Sequence, residues 1–153
     1  MRRFPITFAG LLAMGMLILL SPGPAKAQDA GQGCNAASIT GNFGFMVTGW
    51  NNVGSSDVPV VLVGKLVYDG MGGVSGTVTS VQNGVVSLPS GISGSYKINP
   101  DCTGASLITP ANSTTTAHFN MVVSGQGSMI YFIQTDNGNT VSGTATRQGQ
   151  GPH

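Results

Sequence analysis

The sequence predicts an all-β chain, a single antiparallel up-and-down β-barrel of about eight strands preceded by a cleaved signal peptide. Three observations predict it. Runs of β-branched and aromatic residues alternate with turn signals about every ten residues. Glycines recur inside those runs as well as between them. No window carries the 3.6-residue apolar period of a helix.

Residues 1–27 read as an export signal. Arg2 and Arg3 form a positive n-region, Phe8 to Leu20 an apolar stretch of about 13 residues, and Ala25-Lys26-Ala27 a small-residue cleavage site. A spanning helix needs about 20 apolar residues, and Pro22 and Pro24 interrupt this run. Cleavage before Gln28 leaves residues 28–38 as an N-terminal segment, 39–148 as the barrel domain and 149–153 as a tail. The mature chain is then expected in an extracytoplasmic compartment, secreted or periplasmic, without stable membrane insertion. Three of the six basic residues leave with the signal while all five acids stay, so the formal charge moves from +1 to −2. Only 7% of the chain is charged, and without a basic patch it is not expected to bind nucleic acid. The 41% hydrophobic content suffices for a core.

Cys34 and Cys102 are the two cysteines, and in an oxidising compartment an even count predicts a disulfide. The alternative, a reactive thiol, has neither Cys-x-x-Cys spacing nor a basic neighbour. Along the chain, Phe43, Phe45 and Val47 share the inward face of the first strand, since side chains alternate. Trp50 to Asp57 is expected to be a polar loop and Val58 to Tyr68 a long strand ending in a turn at Asp69-Gly70-Met71-Gly72-Gly73. Val74 to Val81 closes at Asn83-Gly84, a dipeptide suited to a two-residue hairpin, and Val85 to Leu88 follows as a strand. Ile92 to Ile98 precedes the Asn99-to-Gly104 turn. Ala105 to Thr109, Thr116 to Val123, Met129 to Thr135 and Thr140 to Arg147 complete the strands.

Ile39-Thr40-Gly41, Val74-Ser75-Gly76, Ile92-Ser93-Gly94 and Val141-Ser142-Gly143 echo one another. Glycine inside a strand marks a bulge, a bend or close backbone approach, and a small closed barrel uses such glycines to turn its corners, which favours a barrel over a sandwich. Gly41-Asn42-Phe43-Gly44-Phe45, the stretch from Gly64 to Gly76, Gly94 to Gly104 with its Asn-Pro-Asp-Cys-Thr-Gly turn, Phe132 to Asp136 and Val141 to Gln148 together resemble a group of bacterial secreted proteins, the allene-oxide-cyclase barrel-like family. The resemblance implies an up-and-down barrel related to plant allene oxide cyclases and dirigent proteins. The plant cyclases rely on a glutamate and this mature chain has none, so no catalytic residue carries over.

No catalytic constellation, metal site or cofactor is expected. No serine has a Gly-x-Ser-x-Gly frame. His118 projects with Thr116 and Asn120 onto a polar strand face, and Cys34, Cys102, His118 and His153 lack zinc-site spacing. The inner aromatic set Phe43, Phe45, Tyr68, Tyr96, Phe119 and Tyr131, with Leu66, is the expected lumen lining. It either fills the core or leaves a pocket for a small apolar molecule. Both faces are apolar on Val58 to Tyr68 and on Met129 to Gln134, so part of the outer wall should be covered, by a second copy in a homo-oligomer or by residues 28–38. Two functions follow: a non-catalytic module that binds a small apolar ligand or an envelope partner, or a cyclase-like isomerase acting on a small unsaturated substrate.

Overall fold

The computed structural model describes residues 33–149. The expected signal peptide lies outside them, as do residues 28–32 and 150–153. Nine strands form one sheet: β1 (Gly41–Val53), β2 (Ser56–Tyr68), β3 (Gly73–Gln82), β4 (Val85–Val86), β5 (Ser90–Ile98), β6 (Thr103–Pro110), β7 (Ala117–Ser124), β8 (Met129–Gln134) and β9 (Thr140–Arg147). Every pairing is antiparallel, each barrel strand joins its neighbours in sequence, and β9 returns to β1, so eight strands close a barrel with β4 as an extra strand on β3. Two short 3-10 turns, Ala36–Ile39 and Gly125–Gly127, are the described helical elements.

Inward positions alternate with outward ones, and the buried set includes Phe43, Val60, Tyr68, Ile98, Ile130 and Val141. The strand glycines explain how so short a chain curves into a ring. At Gly64, Gly76 and Gly94 the carbonyls of Thr77, Lys65 and Leu107 on the neighbouring strands occupy the space a Cβ would need. Any side chain there would push the strands apart.

The turns follow their residues. Asn83 and Gly84 both have positive φ, at 49° and 78°, as a type I′ hairpin requires. The Asp69 carboxylate accepts from the backbone N–H groups of Met71, Gly72 and Gly73 at 2.7–3.0 Å, holding the β2–β3 turn. Asp101 does the same at the β5–β6 turn, accepting from the N–H and hydroxyl of Thr103. That turn carries Cys102, which forms the predicted disulfide with Cys34, their Cα atoms 4.9 Å apart.

Three expectations need correction. The stretch Trp50 to Asp57 is not a loop: β1 runs to Val53 and β2 starts at Ser56, with Asn51 opposite Val58 and Asn52 opposite Asp57. Its polar residues sit at a sheet end where water meets both faces, so the ladder does not require apolar side chains. Val85 to Leu88 contributes only the two-residue β4, outside the closed ring, and Pro89, which has no N–H to donate, ends that stretch. Residues 33–38, the described part of the N-terminal segment, do not cover the outer wall; they bond to Pro100, Tyr96 and Arg147 at one end of the barrel, next to the fully buried Ile39.

Candidate ligand cavity in the barrel lumen

One end of the barrel is sealed. Arg147, inward on the last strand, donates to the carbonyls of Ser38, Thr40 and Gly127, and its guanidinium lies 4.8 Å from the Phe43 ring centroid. One cation thus satisfies three carbonyls of the capping segment and the β7–β8 turn. The Tyr96 hydroxyl accepts from Gly70 N–H at 3.0 Å and donates to the Ala36 carbonyl at 3.0 Å, tying the same cap to the β2–β3 turn. Tyr68 meets Phe43 and Tyr96 edge to face, with centroids 5.4 and 4.9 Å apart, and these rings floor the lumen.

Above that floor lies a cavity of about 410 Å³ that opens toward the other end. Phe45, Leu66, Tyr68, Phe119 and Phe132 form much of its wall, and Phe119 and Phe132 are edge to face at 5.7 Å. Asn51, Asn52, Gln82, Gln134 and Asn139 add side-chain amides from the strand ends and the β8–β9 turn. Tyr68 and Ser106 are the hydroxyl-bearing residues of the lining. Burial and then the neighbouring Tyr96 push the Tyr68 phenol well above its ordinary pKa, so it stays protonated. Among the described residues no Lys, Arg, His, Asp or Glu lines the cavity. The arrangement suits binding and orientation, and offers no carboxylate or imidazole for proton transfer.

The structure divides the seven residues expected in the lumen. Phe45, Leu66, Tyr68 and Phe119 line the cavity, while Phe43 and Tyr96 are buried without lining it, Phe43 packed on Tyr68 and under Arg147 at the sealed end. Tyr131 is a correction: it is 49% exposed on the outer wall. Residues paired across an antiparallel ladder face the same side, and the register sets Phe132 opposite Met121 and Ile130 opposite Val123, which leaves Tyr131 outside opposite Val122. The run from Met129 to Ile133 is apolar on both faces, so its own sequence holds no alternation to choose between them. The sequence alone does not single out Phe132, Ser106 or the amides as lining. The inward parity of Phe119 and Met121, carried across the hairpin, is the signal that finds Phe132.

The outer wall holds two features. Met46, Val122, Tyr131 and Ile133, each between 49% and 56% exposed, lie on adjacent strands, with Met46 opposite Thr144, Thr144 opposite Tyr131 and Tyr131 opposite Val122. They border a shallow groove of about 1030 Å³. His118 faces outward as expected, and its Nδ1 lies 2.7 Å from Asp136 Oδ1. Asp136 also accepts from the His118 backbone N–H at 2.9 Å and from Gln134 Nε2 at 2.8 Å, and these bonds hold its carboxyl below the ordinary range. The pair fastens the β8–β9 turn to β7.

No protein-family model and no curated protein matches the chain. Among solved structures it is similar to a redesigned β-barrel, mFAP1, bound to DFHBI, at a TM-score of 0.53 and 13% identity over 73% of this chain and 97% of that one. At that identity the likeness is one of fold. Among the described residues no helix is long and apolar enough to cross a membrane.

Proposed function

We propose that this chain is an extracytoplasmic, non-catalytic β-barrel that holds a small apolar molecule in its lumen. The observation that carries the reading is the open cavity of about 410 Å³ with aromatic and aliphatic walls, a size within the range of small-molecule sites. The redesigned barrel of the same fold, bound to DFHBI, supports it by analogy of architecture. The disulfide fits an oxidising compartment, and the arginine-led apolar N-terminus fits export to it. The resemblance to the allene-oxide-cyclase barrel-like family agrees with this reading, whereas the cyclase alternative would have to work without a glutamate.

Titration with N-phenyl-1-naphthylamine, an uncharged probe that fluoresces in apolar surroundings, tests the reading. Saturable enhancement is expected, and it should disappear in Leu62→Trp, because Leu62 lines the cavity and the larger ring takes up its space. No saturable enhancement with the folded wild-type protein would reject it.

The exposed row Met46, Tyr131 and Val122, with Ile133 beside it, supports a second proposal, self-association through this wall. Among the described residues Lys97 is the one charged residue bordering the groove, so two copies meeting there bring little like charge together.

A further inference from the structure

The cavity's inner end holds two hydroxyls with unused hydrogen-bonding capacity. Tyr68 is 3% exposed and Ser106 7% exposed. Both flank Tyr96: the Tyr68 ring meets it edge-on at 4.9 Å, and Ser106 sits directly opposite it in the β5–β6 ladder. Tyr96 spends its own hydroxyl on Gly70 and Ala36. Neither the Tyr68 nor the Ser106 hydroxyl bonds to a described residue, and no fully sealed side-chain polar atom in the described structure lacks a partner. The two hydroxyls therefore open onto the cavity space. A lumen meant only as filler has no use for hydroxyls at these positions, whereas a hydroxyl that faces an apolar cavity gains a partner when a polar ligand atom meets it.

From this we infer that the cavity selects an uncharged, largely apolar molecule carrying a hydrogen-bond acceptor, such as a ketone or ester carbonyl, at its inner end. The inference rests on the binding reading above and specifies its ligand. Size follows from volume: a dry cavity of about 150 Å³ accommodates benzene, so the same filling gives about 16 non-hydrogen atoms here. Neutrality follows from the lining, which among the described residues has no cationic or anionic side chain to compensate a buried charge. The acceptor follows from the phenol, which is kept protonated by burial and has a proton to donate; a carbonyl oxygen has two lone pairs and can accept from it and from a serine hydroxyl.

The test is displacement of N-phenyl-1-naphthylamine from the purified protein by three compounds of similar shape: benzophenone, diphenylmethane and diphenylacetate. Benzophenone should bind about fivefold tighter than diphenylmethane, the worth of a net hydrogen bond, and diphenylacetate weakest. Tyr68→Phe should abolish the preference for benzophenone over diphenylmethane, and Ser106→Ala should reduce it. Diphenylmethane equalling benzophenone in the wild type would overturn the acceptor, and diphenylacetate binding tightest would overturn neutrality, in both cases with the lumen reading intact. Failure of the probe and all three compounds to bind would instead reject the lumen reading itself.

Discussion

Replacing both Cys34 and Cys102 by serine removes a covalent tie between the capping segment and the β5–β6 turn. The two residues are 68 apart in sequence, so the bridge closes most of the first half of the barrel into one loop. On the chain-entropy model, closing a loop of that length stabilises the fold by about 4 kcal/mol, through the unfolded chain rather than through native contacts. With an unfolding entropy of about 2.1 cal/mol/K per residue over the roughly 117 described residues, that loss lowers the melting temperature by about 16 °C. The native cap should survive the substitution, because Cys34 N–H still donates to the Pro100 carbonyl and Arg147 still holds Ser38, Thr40 and Gly127. Calorimetry of the oxidised protein and the double serine variant measures the shift, and near-ultraviolet circular dichroism of the Tyr68–Tyr96 pair checks that the closed end stays packed. A shift below about 5 °C with that signal retained would refute the loop-closure reasoning.

Arg147→Met strands three carbonyls and should destabilise by about 3 kcal/mol in urea unfolding, with Arg147→Lys recovering only part because an ammonium lacks the guanidinium fork. Gly94→Ala drives a methyl into the Leu107 carbonyl and should cost more than about 3 kcal/mol, whereas Gly91→Ala, whose methyl meets Ala111 at 3.6 Å, should be near neutral by the same measurement. Backbone and hydroxyl donors hold Asp69 and Asp101 below the ordinary carboxylate value, and His118 N–H and Gln134 do the same for Asp136. Their contribution is full above the unfolded value of about 4 and lost as pH falls through the lower folded values; Tyr68, raised by burial, contributes fully below about pH 10 and loses its contribution as pH climbs toward the folded value. Melting temperature against pH should show both limbs, with Asp136→Asn flattening the acid one and Tyr68→Phe the alkaline one. Sedimentation should show the wild type associating and Tyr131→Glu monomeric; a monomeric wild type at high concentration would rule out self-association through the outer wall.

The fold was legible because its signals are local. Asn83-Gly84, the Asp69 turn and the Asn99-to-Gly104 turn are set by residues within a few positions of one another, and Phe43, Phe45 and Val47 show their inward parity in a single strand. Strand ends were less legible, since Trp50 to Asp57 has a loop's composition and becomes ladder only because β1 and β2 pair that far. The composition also determined that any lumen would be nearly uncharged. Only the closed tertiary structure decided that Tyr131 faces outward and Phe132 inward, because the register of β7 against β8 resolves a run with apolar residues on both faces. It alone sealed one end with Ile39 and Arg147, left space above Tyr68 and Ser106, and joined His118 to Asp136 across 18 residues. Cavities and caps are made by distant strands meeting around a ring, and how those strands fit together is a property of the whole sheet that no single segment carries.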